Sequence, residues 1–238
     1  MTQKADYSLK NKRSFGIIIP IVFLILLALF IISLPRWTMV LTVILGFLVA
    51  NALLGIILGP RMHRAKRNAC LAISGSLHIN GGATVLDLGS GPGVLTIHLA
   101  KAGFRATGVD IDEKALVQAR KNAQREDVNV EFRLGDGSSL KWPDSSFEAV
   151  TSLNLLHETR DPQAVFIDSC RVLKPGGTLA MADLRRGLAT FSIFWLGLFK
   201  FLSRKALRDM LHRADFQEIH ISKPTMFHHL ITARKKSA

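Results

Sequence analysis

The sequence predicts an α/β protein in which a mostly parallel sheet is covered by helices on both faces. Two apolar helices folded as a hairpin precede it. Three observations carry this expectation. From about residue 69 onward, short apolar runs alternate with amphipathic stretches, the signature of strands linked by crossover helices. The first of those runs enters a glycine-rich turn, VLDLGSGPG at residues 85–93. Before residue 60 the chain has two long stretches without a charge, and much of its 48% hydrophobic content gathers there.

The N-terminal stretches come first. Phe15 to Leu34 reads FGIIIPIVFLILLALFIISL, and Thr38 to Leu58 reads TMVLTVILGFLVANALLGIIL. At ~1.5 Å per residue, about 20 helical residues span a hydrocarbon core of ~30 Å. Pro35, Arg36 and Trp37 leave room only for a tight turn between them. Lys4, Lys10, Lys12 and Arg13 precede the pair, and Arg61, Arg64, Lys66 and Arg67 follow it, whereas the turn carries Arg36 alone. The excess of Lys and Arg places both termini, and the domain that follows, in the cytoplasm. A cleaved signal peptide would need a small-residue cleavage site after the first stretch, and a second apolar stretch stands there instead. The expected organisation is a basic flank over 1–14, a transmembrane hairpin over 15–59, a basic juxtamembrane linker over 60–68 and the α/β domain over 69–238.

The formal net charge of +13 points to an anionic partner. Much of the excess lies beside the apolar stretches, around 185–213 and in the Arg234-Lys235-Lys236 tail, where an anionic leaflet is the simpler counterpart. No nucleic-acid partner is expected. Cys70 and Cys170 have no metal-ligand spacing, so buried thiols and no metal are expected.

Within the domain, strands are expected at Ala83–Asp87, Arg105–Asp110, Val130–Leu134, Phe147–Ser152 and Thr178–Ala182. Helices are expected at Gly93–Ala102, Glu113–Gln124 and Pro162–Leu173. In the second of these, Ala115, Leu116, Ala119 and Ala123 recur at helical spacing. Lys174-Pro175-Gly176-Gly177 closes the third and turns into the next strand.

The turn after the first strand bears on chemistry. A dinucleotide fingerprint reads G-x-G-x-x-G, but Gly89, Gly91 and Gly93 stand as G-x-G-x-G, with Ser90 and Pro92 between them and Asp87 two residues before. A carboxylate there would repel a pyrophosphate and attract an ammonium or sulfonium. The helix start can hold a carboxylate, so the loop suits an amino-acid moiety. Asp110 ends the second strand, 23 positions after Asp87, where an acid can accept from both hydroxyls of a ribose. After the third strand come Asp136 and Gly137, an acid that can accept from an exocyclic amine beside permissive backbone.

VLDLGSGPG, GVDID, LGDGSSLKWPDSSFEAVTSLNLLHE and RVLKPGGTLAMAD resemble the successive motifs of class I S-adenosylmethionine-dependent methyltransferases, and are most similar to the branch acting on small molecules, quinones and lipids. The resemblance is strong over residues 69–183, and the hairpin lies outside it. It implies a Rossmann-like, seven-stranded sheet whose last strand, at Thr225–Ala233, runs antiparallel. It implies S-adenosylmethionine as cofactor, with Asp87, Gly89, Ser90, Gly91 and Gly93 around the methionine part and Asp110 on the ribose. Ile111 would lie against the adenine, Asp136 at its amino group, and Asn154 and Leu155 along the methyl-transfer channel.

Methyl transfer from a sulfonium is an in-line displacement in which positioning supplies much of the rate. A hydroxyl or thiol acceptor gains from a base, and His157, after the fourth strand, is the candidate. Leu188–Leu202, LATFSIFWLGLFKFL, is flanked by basic residues and suits an interfacial amphipathic element, or else a packed core helix; the resemblance implies that this region helps form a lid over the substrate. The function expected is methylation of a lipophilic or membrane-associated small molecule: a phospholipid amine, quinone, phenol or thiol. A methyltransferase acting on RNA or protein would want an added basic, aromatic recognition region. A non-catalytic tethered protein would have no use for Asp87, Asp110 and Asp136 together.

Overall fold

A computed structural model describes residues 24–27, 36–185 and 201–237. The first apolar stretch lies outside them apart from the helical residues 24–27, as does most of the expected interfacial element at 188–202. The chain divides into two compact units, Met1–Gly59 and Pro60–Ala238.

Helix α1, Arg36–Gly75, runs 40 residues without a break and contains Pro60. The segment 60–68, expected as a linker, is therefore helical. Leu41, Val43, Leu45 and Leu48 on α1 are exposed. Later on the same helix, Ala65, Ala69, Cys70 and Ile73 are buried. By length and composition, one helix among the described residues is apolar enough to cross a membrane.

The second unit holds β1 (Thr84–Leu88), α2 (Val94–Lys101), β2 (Arg105–Asp110), α3 (Glu113–Arg125), β3 (Glu131–Leu134), β4 (Phe147–Leu153) and α4 (Pro162–Val172). There follow β5 (Leu173–Leu184), α5 (Arg204–Arg213), β6 (Phe216–Ser222) and β7 (His228–Lys235). The seven strands form one sheet in the order β3-β2-β1-β4-β5-β7-β6. Strands β1 to β5 pair in parallel, while β7 is antiparallel to both β5 and β6. The order reverses between β1 and β4, which makes their carboxyl ends the switch point where ligands gather in such sheets.

The alternation of each strand sorts its side chains between two cores. Leu86, Leu88, Val150, Leu179 and Met181 face one side, with Val165 and Phe166 of α4 and Leu207 and Leu211 of α5. Val85, Ala149, Ala180 and Ala182 face the other, with Ile73 of α1 and Leu95 and Leu99 of α2. Alanine on that second face lets the helices approach the sheet closely. Helix α3 packs Leu116, Ala119 and Ala123 against Ile97 and Phe132. Helix starts follow local chemistry: Asp112 Oδ1 accepts from Lys114 N–H at 2.9 Å, and Asp161 Oδ1 accepts from Ala164 N–H at 3.0 Å ahead of Pro162. Both caps satisfy donors that a first turn leaves unpaired.

The expected turn at Lys174–Gly177 lies inside β5. Phe147 pairs Leu173 and Ala149 pairs Thr178, so four residues loop out opposite Glu148. Helix α5 and strand β6 were not foreseen.

Candidate functional site

A cavity of about 750 Å³ opens at the carboxyl ends of β1, β2 and β4. Its wall includes Asp87, Gly89, Ser90, Gly91, Asp110, Ile111, Asp136, Gly137, Asn154 and Leu155. These were expected from separate motifs, and the fold brings them to one surface. Gly93 does not line it. With φ 84°, it caps α2 from the left-handed region, and a β-carbon there would stand 2.9 Å from the Phe132 ring. Gly89 and Gly91 also have positive φ, 63° and 50°, so the turn needs the conformational freedom of glycine along its length.

Asp87 is almost wholly buried on β1. Thr96 Oγ1 donates to its Oδ2 at 2.7 Å, and Thr151 Oγ1 lies 3.4 Å from its Oδ1. Burial pushes its pKa up to about 7, against the two threonine hydrogen bonds, and the nearby Asp110 carboxylate adds to the rise. The side chain thus sits at the foot of the cavity, braced by α2 and β4. Asp110 closes the glycine turn: Gly91 N–H donates to Oδ2 at 2.7 Å and Asp112 N–H to Oδ1 at 2.9 Å. Asp136 is exposed, and its Oδ1 accepts from Ser138 N–H at 2.8 Å, holding its loop in a tight turn.

Two oxygens on the wall are left over. Ser90 Oγ and Asn154 Oδ1 are buried and have no hydrogen-bond partner within the protein. Asn154 adopts φ 67°, unusual for a side chain other than glycine, while its N–H is held by Ala182 O at 2.8 Å.

His157 does not line the cavity. Its side chain is 4% exposed, and Nδ1 lies 2.8 Å from Asp183 Oδ1 on β5. Asp183 Oδ2 also accepts from Leu156 N–H at 2.6 Å. His157, expected as the base, is thus placed beside Asp183 of β5 and not on the cavity wall. Its neighbour Glu158 lines the cavity instead. Sequence reasoning also passed over Lys66 and Arg160, which lie on the wall. Glu158 and Arg160 follow the post-β4 motif and could have been found from that position. Lys66 could not, since only the course of α1 brings it there.

Residues 85–177 match the family model of a methyltransferase domain. Ubiquinone biosynthesis O-methyltransferase of Xanthomonas oryzae pv. oryzae is 33% identical over 136 residues, 57% of this chain and 56% of that protein. Demethylmenaquinone methyltransferase of Tropheryma whipplei is 35% identical over 134 residues, 55% of this chain and 54% of that protein. The chain thus spans about half the length of the curated relatives it matches. Among solved structures, phosphoethanolamine N-methyltransferase 2 of Haemonchus contortus, in complex with S-adenosyl-L-methionine, superposes with a TM-score of 0.63 at 18% identity. That match covers 71% of this chain and 53% of the other, and at this identity it is a likeness of fold.

Proposed function

We propose, from a methyltransferase domain over residues 85–177, that the chain moves a methyl group from S-adenosylmethionine to a lipophilic small molecule at a membrane. The observation that carries this reading is the meeting of the glycine turn, Asp110 and Asp136 in one cavity with two unpartnered buried oxygens. A buried acceptor without a donor costs about 1–3 kcal/mol. An ammonium group has three donors and no acceptor, so the amino-acid end of the cofactor can satisfy Ser90 Oγ and Asn154 Oδ1 together. Asp87 beneath them supplies the charge that favours a cation. Asp110 offers carboxylate oxygens to the ribose hydroxyls, and Ile111, 74% exposed at the rim, has apolar surface for the adenine. Asp136 accepts from the adenine amine.

When bound, the cofactor supplies a sulfonium methyl group, whose transfer leaves a neutral thioether. The chain's own part is to bind, orient and keep water away, which is where most of the rate in such a displacement arises. Relatives named for ubiquinone and menaquinone chemistry support a lipophilic acceptor. The exposed apolar residues of α1 support a membrane setting. The Lys and Arg flanks support a hairpin anchor with both termini cytoplasmic.

Calorimetry of the full chain in detergent, with S-adenosylmethionine and NAD as ligands, tests the cofactor. Binding of NAD alone would overturn the proposal. Labelled methyl transfer into an extract of native membranes, followed by mass analysis, tests the acceptor. Label found only in protein or RNA would remove the lipophilic substrate.

A further inference from the structure

The link between β3 and β4 carries Asp136, and its residues 136–142 form one isolated bridge, Asp136 to Ser139. Asp136 to Ser138 border the main cavity, and Ser139 to Trp142 border a second one of about 120 Å³. With open space along both parts, packing on the cavity side does not fix this stretch. It is held from behind, by α4. Asp168 and Arg171 stand three positions apart on that helix and so share a face. Arg171 donates through Nη2 to Leu140 O at 2.8 Å, and through Nη1 to Trp142 O at 2.8 Å and Asp144 Oδ1 at 3.0 Å. Its Nε donates to Asp168 Oδ1 at 2.6 Å, and Asp168 Oδ2 accepts from Leu140 N–H. Three backbone groups of the link are thus satisfied by two side chains of α4 instead of by a neighbouring strand. From this clamp we infer that Arg171, oriented by Asp168, is the positioning residue for recognition of the adenine. The inference rests on the methyltransferase reading and adds what keeps the base-reading acid in place.

The clamp reaches Asp136 through a short path. Leu140, held at both its N–H and its C=O, has its side chain buried in the core with Phe166 of α4. Ser139, the residue before it, donates its N–H to Asp136 O at 3.0 Å, so a shift of Leu140 is passed to Asp136. Asp136 Oδ1 accepts from Ser138 N–H at 2.8 Å and from Ser138 Oγ at 2.7 Å. Its Oδ2 makes no hydrogen bond to the described residues and is the oxygen left for the amine of the base. A displacement of about 1 Å takes an ordinary N–H···O contact beyond the ~3.2 Å limit of a sound hydrogen bond, so the position of this oxygen decides whether the amine is read. Arginine suits the task because its planar fork serves several acceptors at once, whereas a lysine ammonium is a point charge on a flexible stem. The bond to Asp144, 77% exposed, is the outer and weaker end of the clamp. The inner end, on Leu140 and Trp142, sets the backbone.

The test is calorimetry of the full chain in detergent with two probes, S-adenosylhomocysteine and S-inosylhomocysteine. In the second a ring carbonyl replaces the amine, so Asp136 would meet an acceptor in place of a donor. The wild type is expected to favour the first by about 10-fold or more. In Arg171→Leu that preference should collapse: affinity for the adenine probe falls to near that of the hypoxanthine probe, which itself stays nearly unchanged. Arg171→Lys keeps the charge without the fork and should not restore the preference. Asp168→Asn keeps the shape and one acceptor, so it serves if Arg171→Leu does not fold, and it should lose part of the preference. Hydrogen exchange of the chain without ligand should show residues 136–142 less protected in these variants, with β1 and β4 unchanged. A preference retained in the variants, or an equal loss for both probes, would overturn the positioning role and leave the clamp as a brace of the fold. Equal affinity of the wild type for the two probes would overturn it as well, because Asp136 would then not read the amine. If the wild type binds neither probe, the methyltransferase reading falls and this role falls with it.

Discussion

At the scale of single residues, Asp87 couples burial to charge. Its pKa is raised by burial to about 7, whereas an unfolded Asp ionises near 3.9. Below pH ~4 the carboxyl is protonated in both states. Between there and about 7 only the folded chain keeps the proton, so this group's contribution to stability declines as pH rises through that window. Asp87→Asn should therefore gain in thermal midpoint relative to wild type between pH 5 and pH 8. Equal shifts at both pH values would count against a buried, raised carboxyl. A cationic ligand beside Asp87 favours its ionised form, so S-adenosylmethionine should bind more tightly at pH 8 than at pH 5.5. Binding near pH 6.5 should release a proton, which calorimetry in buffers of different ionisation heat can count. Asp110 makes a second prediction at this scale. Its Oδ2 holds Gly91 N–H, and the proposal gives it the ribose, so Asp110→Ala should weaken cofactor affinity by about 10-fold or more, one lost charge-assisted hydrogen bond being worth ~1.5–3 kcal/mol. Undiminished affinity would remove Asp110 from the site.

At the scale of elements, the site depends on how closely β2 passes beneath the glycine turn. A β-carbon on Gly108 would meet Phe132 Cδ1 at 2.7 Å and Ser90 Cβ at 2.8 Å. Gly108→Ala should push the turn outward, lowering stability by about 1–3 kcal/mol and abolishing measurable cofactor binding by calorimetry. Normal binding would mean that the turn has more slack than its contacts imply. Strands β1 to β4 and helices α2 to α4 were legible because each shows its own period and its own stop signal. Asp112 and Asp161 even mark the helix starts at the residue. Strand β6 was not legible because its alternation breaks: Phe216, Ile219 and Ile221 are buried, with Glu218 at φ 51° and a register shift between Gln217 and His220. Helix α5 buries only Leu207 and Leu211, a single apolar pair in a basic stretch that reads as surface charge. The residues that line the cavity were readable from motif spacing. The orientation of His157 was not, because Asp183 sits 26 positions away on a strand whose register sequence alone does not set.

At the scale of the whole molecule, the hairpin proposal makes a prediction about sidedness. Thr38–Leu58 contains thirteen Leu, Ile, Val and Phe residues, worth about 4–8 kcal/mol toward insertion at ~0.3–0.6 each. An arginine near the centre of a span costs about 2.5–3.5 kcal/mol. Leu45 and Leu48, 63% and 57% exposed on α1, stand near that centre, so replacing both with arginine should cancel most of the drive to insert. If Phe15–Leu34 is a first span entered from the cytoplasm, the chain then crosses once and carries its catalytic unit to the opposite side. A C-terminal fluorescent protein, bright in the wild type, should dim, and a C-terminal alkaline phosphatase should become active. If Thr38–Leu58 is instead the only span, the double variant should leave the membrane fraction under carbonate and neither reporter should switch. If it is not a span at all, sidedness and fractionation should both stay as they were. Leu71→Arg, at an exposed position later on the same helix, serves as the control. It adds one arginine, against two in the double variant, beyond the apolar stretch, so it should change neither readout, and a switch there would place the effect in folding rather than insertion.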